Sequence, residues 1–258
     1  MGLVPTMGYL HQGHLALVRR ARSENDALAV SIFVNPSQFG PDEDFGTYPR
    51  DMERDLALLA AEGADLVFTP PIEEMYPPGF DTWIEVGEVG RRLEGGHRPG
   101  HFRGVATIVS LLFDVVNPDR AYFGQKDGQQ VAVIKRMVAE RDLGVEIVVV
   151  PTVREPDGLA LSSRNTYLTP DQRNAAPIIY RALRSAQELW EKDERWAEPL
   201  RQAVRRRLEE EPLIEGIDYV SVADASTIEE LEHLQGQAMV LVALRMGKAR
   251  LIDSVLLG

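Results

Sequence analysis

The spacing of apolar and polar positions divides the chain into short strands and helices, and the pattern changes character near Thr152. Leu3 and Val4 open a short apolar strand that turns at Met7-Gly8. Leu15, Leu17, Val18 and Ala21 then recur at helical spacing among Arg19, Arg20 and Arg22. Residues 27–34 form a nearly unbroken apolar run, as expected of a strand covered on both faces of a parallel sheet. Met52, Leu56 and Leu59 predict a helix from about Asp51 that Gly63 ends, and 64–70 reads as the third strand. The order β-α-β-α-β predicts an α/β domain with right-handed crossovers. Asp42-Glu43-Asp44 reads as a solvated loop, and 91–104 lacks periodicity and is expected to be a long irregular loop. Val105, Ile108, Val109, Leu112, Phe113 and Val116 mark an amphipathic helix. A strand follows at 120–123, then a loop at 124–130, a helix with Val131, Ile134 and Val138 on one face, and the sheet's last strand at 146–151.

Beyond Thr152, Pro156-Asp157-Gly158 predicts a turn, and Thr169-Pro170-Asp171-Gln172 is a capping box with proline at the first helical position. Helices rich in Arg and Glu run to about Glu211, and strands are expected over 218–223, 239–246 and 250–254. The expected domains are 1–152, an α/β parallel-sheet domain, and 153–258, a smaller α+β domain. No internal repeat or low-complexity tract is visible.

Composition narrows the class. The 258 residues are 44% hydrophobic and 26% charged, as in soluble globular proteins. No apolar run approaches bilayer length and no signal peptide precedes the first strand, so a cytoplasmic protein without membrane contact is expected. Zero Cys excludes disulfides and thiol chemistry. A net charge of −12 argues against broad nucleic-acid binding but admits a small anionic substrate where cations gather locally. Only Lys126, Lys135, Lys192 and Lys248 are lysines, so most positive charge is Arg, suited to bidentate contacts with phosphate or carboxylate. Residues 1–6 fit the myristoylation pattern, but acylating Gly2 would withdraw a strand that the sheet needs.

The densest chemistry lies at His11-Gln12-Gly13-His14, between the first strand and the first helix. It matches neither common phosphate-loop pattern. A Gly-bearing turn into a helix N-terminus is expected to present unpaired N–H groups to an anion, and imidazole donates well to phosphate oxygens. The same histidines also read as a metal pair, but zinc requires further ligands; there is no Cys, and the other histidines are His97, His101 and His233. His97 and His101 are separated by Pro99 and Gly100, which argues against a helical metal pair. Gln38 leaves the second strand at the edge where ligands of open α/β sheets gather. Lys126 is the one lysine at a strand-to-helix junction, and Ser162, Ser163 and Arg164 form a group able to wrap phosphate oxygens.

Segments 5–14, 31–39, 124–130 and 157–165, with 99–105, together resemble the pantoate–β-alanine ligase (pantothenate synthetase) family, among the nucleotidylyltransferases that share a His-x-Gly-His motif. The resemblance covers nearly the whole chain. It implies a Rossmann-like first domain and a two-step reaction: ATP and (R)-pantoate give pantoyl adenylate and pyrophosphate, and β-alanine then displaces AMP. By the family pattern Met7, Gly8, Tyr9, Leu10, His11, Gln12, Gly13, His14, Gly124, Gln125, Lys126, Asp127, Val153, Leu161, Ser162, Ser163 and Arg164 line the ATP site. His14, His11 and Lys126 are then the catalytic residues, with His14 as proton donor, and Gln38 and Gln130 hold pantoate. Mg²⁺ is implied by ATP, with no protein ligand assigned, and a homodimer is implied by the family.

Two positions depart from the family pattern. Gln125 stands where Glu is usual, removing a charge beside Lys126. Gly128 stands where an aromatic is usual, and is expected to loosen the following helix. Relatives also carry a segment before this strand, so a truncated or misassigned start, with Gly2-Leu3-Val4 as a strand shorter than the usual ~5–6 residues, is expected to cost some stability. A one-step nucleotidyltransferase would share His-x-Gly-His without the Gln38 and Gln130 pair. A catalytically silent nucleotide-binding module is the non-enzyme alternative.

Overall fold

Five parallel strands, β1 (Gly2–Thr6), β2 (Leu28–Ile32), β3 (Leu66–Phe68), β4 (Arg120–Gly124) and β5 (Glu146–Val150), form the first sheet in the order β3-β2-β1-β4-β5. This computed structural model describes residues 1–41 and 43–258; Asp42, at the head of the expected acidic loop, lies outside the described residues. The chain folds as two compact units: Met1–Gly124 with Val133–Val150, and Gln125–Ala132 with Pro151–Gly258.

The first unit is the doubly wound α/β fold that the strand and helix order predicts. Its helices are α1 (Gln12–Glu24), α2 (Met52–Ala61), the single turns α3 (Ile72–Met75) and α4 (Glu94–His97), α5 (His101–Val116), and α6 (Gly128–Glu140), which starts in residues grouped with the second unit. All five residues of β2 are buried, because helices cover both faces of a parallel sheet. Val4, Leu10, Leu15, Val18, Ala21, Val30 and Leu59 share one core cluster, so the apolar stripe of α1 sits on the sheet. Strand order reverses between β1 and β4, the kind of switch point beside which ligands of such sheets bind.

Three expectations change. β1 runs past the apolar triplet to Thr6, since Pro5 and Thr6 stay in register with Ser31 and Ile32 and Phe33 N–H donates to Thr6 O at 3.0 Å. The stretch 91–104 is not irregular throughout: it holds α4, and α5 starts at His101 with Phe102 buried. Finally, 124–130 is a short 3₁₀ turn (Gln125–Asp127) running into α6, which places Gln130 in a helical first turn.

The second unit packs α7 (Pro170–Ala175), α8 (Ile178–Trp190) and α9 (Ala197–Glu209) with an antiparallel sheet of β6 (Gly216–Asp224), β7 (Ala238–Met246) and β8 (Ala249–Leu257), in that order. The capping box at α7 forms as the sequence predicts, with Gln172 N–H donating to Thr169 Oγ1. Among the described residues no helix is long and apolar enough to cross a membrane.

Candidate active site

The histidine turn is built from side chains that reach back to their own backbone. His11 caps α1: Gly13 N–H donates to His11 Nδ1 at 3.1 Å, and His11 N–H donates to His14 Nδ1 at 3.3 Å. Each Nδ1 is therefore an acceptor, so each neutral imidazole carries its proton on Nε2. The rings stack with centroids 3.9 Å apart.

The open amide cradle expected at this turn is already occupied. Gly8 N–H donates to Thr6 Oγ1 at 3.2 Å, and Thr6 Oγ1 itself donates to Ser31 O. Tyr9 and Leu10 N–H groups donate to the carboxylate of Asp55, from α2, at 2.6 and 2.8 Å. Two of the turn's backbone donors thus serve an internal anion, and others bond to a hydroxyl and to the imidazoles. Gly8 has φ of +83°, and a Cβ there would lie 2.9 Å from Ile32 Cγ2 and 3.1 Å from Asp55 Oδ2, so both conformation and space require glycine.

Gln38 sits in a 3₁₀ turn (Pro36–Gln38) that leaves β2. Its Nε2 donates to Met7 Sδ at 3.2 Å, which joins the pantoate candidate to the histidine turn, and its Oε1 accepts from Asn35 Nδ2 at 3.1 Å. Asn35 is buried and also accepts from Ser37 and from the Tyr76 hydroxyl at 2.8 Å. Burial pushes the Tyr76 phenol above its ordinary value, which keeps it a donor. The main chain of Gln38 is gripped as well: its carbonyl accepts from Arg98 Nη2 at 3.2 Å and from His101 Nδ1 at 2.8 Å. Arg98 is paired in turn with Glu43 through two hydrogen bonds, so Glu43 is not part of a merely solvated loop. His101 is engaged at both ring nitrogens by Gln38 and Arg98.

In the second unit, Lys126 Nζ lies 3.3 Å from Asp127 Oδ1. The ammonium therefore has an adjacent carboxylate despite Gln125, contrary to the expectation from that departure. Ser254 Oγ donates to Gln125 O at 3.0 Å and holds the turn from β8. Beside it, Arg154 forks onto Asp253 at 2.6 and 3.0 Å, and burial raises the Asp253 carboxyl despite that partner. Gln130 is half-buried in the first turn of α6. Leu161 N–H donates to Val153 O, Ser162 accepts from Arg164 N–H to cap the 3₁₀ turn Ser163–Tyr167, and Ser163 is buried. β8 packs against both turns, so the Lys126 and Ser-Ser-Arg segments share one supporting strand. Within each unit the expected site residues are thus grouped: Met7 through His14 with Gln38 in the first, and Gln125, Lys126 and Asp127 beside the strand that also packs on the turn at 163–167 in the second, with Gln130 following in α6.

Asp55, Asn35, Tyr76 and Arg98 were not legible as site residues. Asp55 reads as one more acidic residue in a helix, and its partners lie 45 and 46 positions earlier. For Arg98, the resemblance of 99–105 was a nearby pointer.

A family profile described as pantoate-beta-alanine ligase matches residues 1–256. The chain belongs to that family. Pantothenate synthetase from Roseiflexus sp. (strain RS-1) is 59% identical over 256 residues, spanning 99% of this chain and 92% of the relative. That of Chloroflexus aurantiacus (strain ATCC 29366) is also 59% identical, over all of this chain and 92% of its own length. Among solved structures, pantothenate synthetase from Thermus thermophilus superposes with a TM-score of 0.95 at 51% identity, covering 98% of this chain and 92% of that one. Pantoate-beta-alanine ligase from Francisella tularensis, complexed with Beta-gamma ATP and Beta-alanine, superposes with a TM-score of 0.81 at 38% identity, covering 99% and 88%. As a pantoate-beta-alanine ligase family member the chain is an enzyme, a ligase that forms pantothenate.

Proposed function

We propose that this ligase works through pantoyl adenylate, using ATP, with its residues in the roles the family pattern gives them. A carboxylate is a poor acyl donor because oxide would have to leave. In the first step a pantoate carboxylate oxygen attacks the α-phosphorus of ATP and pyrophosphate departs. In the second the β-alanine amine attacks the acyl carbon, loses a proton, and AMP departs. Charge grows on the phosphates in the first step, so donors fixed in advance lower that barrier.

The observation that carries this reading is the stacked His11–His14 pair, whose Nδ1 atoms are both engaged by backbone N–H groups and whose Nε2–H groups are therefore donors. The Francisella tularensis relative, solved with Beta-gamma ATP and Beta-alanine, supports the substrate set. In this reading residues 7–14, 124–127, Val153 and 161–164 bind ATP, His14 donates the proton, His11 and Lys126 stabilise phosphate charge, and Gln38 and Gln130 hold pantoate. Among the described residues no group of three His, Asp or Glu side chains gathers as a metal cage. We assign Mg²⁺ to the phosphates of ATP, whose oxygens with water suit its octahedral shell. Functional domains at 1–152 and 153–258, a homodimer and a cytoplasmic location belong to the same reading, supported by sequence pattern and resemblance; sedimentation tests the dimer.

The deciding experiment is exchange of labelled pyrophosphate into ATP without β-alanine. Exchange should depend on pantoate, and AMP release should require both pantoate and β-alanine. His14→Ala should lower exchange by about 10²–10⁴-fold while the fold persists. Exchange that needs β-alanine, or a folded His14→Ala enzyme with normal exchange, would overturn the reading.

A further inference from the structure

The side of α2 that faces the histidine turn carries Arg54 beside Asp55. Asp55 is almost fully buried, and its two oxygens accept from Tyr9 N–H and Leu10 N–H at 2.6 and 2.8 Å. Arg54 Nη2 donates to Leu10 O at 2.9 Å, and its guanidinium lies over the Tyr9 ring, 5.4 Å from the centroid. Arg54 Nη1 stands 3.8 Å from Asp55 Oδ1, a cation beside the buried carboxylate.

These contacts fall on consecutive peptide planes. Tyr9 N–H fixes the plane between residues 8 and 9, Leu10 N–H the plane between 9 and 10, and Leu10 O the plane between 10 and 11. The last plane also carries His11 N–H, the donor to His14 Nδ1 at 3.3 Å. One residue beyond it is the His11 ring, whose Nδ1 takes the Gly13 N–H. The segment so held includes Tyr9 at φ +49°, a conformation that non-glycine residues rarely adopt and that persists where surroundings over-determine it. A peptide plane is rigid, so a hold on one end aims the group at the other.

We propose that Asp55 and Arg54 are positioning residues for the ligase reaction: α2 clamps three successive peptide planes and thereby sets the orientation and tautomer of His11 and His14. Neither residue is required to touch substrate. Asp55 supplies the turn with its own anion, so the histidine donors are arranged before ATP arrives rather than by it. The catalytic consequence rests on the phosphate role given above to the histidines; the structural consequence does not.

The test uses the full-length enzyme with ¹⁵N-labelled histidine, without ligand, together with the exchange assay. Wild type should show His11 and His14 as Nε2–H tautomers. In Asp55→Asn, an amide replaces one acceptor oxygen, and both rings should shift toward mixed tautomers. Pyrophosphate exchange should fall by about 10²-fold, the scale of a small misplacement of reacting groups. Aminolysis of supplied pantoyl adenylate should fall less. Arg54 is half-exposed, so Arg54→Met keeps the question open to measurement if Asp55→Asn fails to fold; it should move both readouts the same way, by a smaller factor. A folded Asp55→Asn or Arg54→Met enzyme with wild-type tautomers would overturn the clamp, whatever its melting temperature. Shifted tautomers with unchanged exchange would uphold the clamp and remove the phosphate role assigned to the histidines.

Discussion

The main chain of Gln38, the proposed pantoate residue, is held in place through its carbonyl by Arg98 and His101. His101 donates from Nδ1 to Gln38 O, so its Nε2 must accept from Arg98, and a second proton on the ring would face a guanidinium. Burial, reinforced by the Arg98 charge, accordingly lowers the imidazole pKa to about 4. An unfolded histidine takes a proton near pH 6.5 and the folded one resists until about 4, so between those values the unfolded state binds more protons. Stability should therefore fall as pH drops from 6.5 toward 4, by at most about 1.4 kcal/mol per pH unit from this group. Urea midpoints measured across that window for wild type and His101→Asn should diverge, with wild type falling faster; parallel curves would refute the assignment. At the same scale, Gln38→Ala and Gln130→Ala should each raise the KM for pantoate well above any change for ATP, since the substrate's polar groups lose partners. Equal effects on both substrates would show that the two glutamines are not a pantoate pair.

Among elements, the junction into α6 shows a departure that is compensated locally. A Cβ on Gly128 would lie 2.2 Å from Met239 Sδ and 3.3 Å from Ser254 Oγ, so the methionine of β7 occupies the room that an aromatic at 128 would need. The bare glycine is packed there rather than left open. Gly128→Phe alone should destabilise by about 1–3 kcal/mol, as overpacked cores do. Combined with Met239→Ala it should recover part of that loss, a coupling that a double-mutant cycle of melting temperatures measures directly. Elements with local signals were legible in the sequence: β2 from its apolar run, α2 from Asp51 and Gly63 at its ends, α7 from its capping box. The start of α5 was hidden because Pro99 and Gly100 look like breakers, whereas Gly100, at φ +85°, is the residue from which the helix begins. In the candidate site, residues with evident chemistry can be proposed from the sequence, whereas the groups that hold them cannot. Asp55, Asn35 and Arg98 act through partners brought near only by the folded sheet, and no local spacing encodes that.

For the molecule as a whole, the proposed reaction divides into a half in which phosphate charge builds and a half in which it does not. Lys126, whose ammonium lies beside Asp127, is assigned to the first. Lys126→Ala should slow pyrophosphate release more than it slows β-alanine attack on supplied pantoyl adenylate, with part of the loss retained because AMP also leaves through its phosphate. Equal slowing of both would make the residue structural or confine it to AMP. The clamp from α2 has a further consequence, for synthesis of the chain. The histidine turn is made before the carboxylate that its amides bind, which follows 45 and 46 positions later. The nascent turn must wait, its amides in water, until β2 has paired and α2 has emerged. The turn is thus made before the helix that completes it, and its final shape waits on α2.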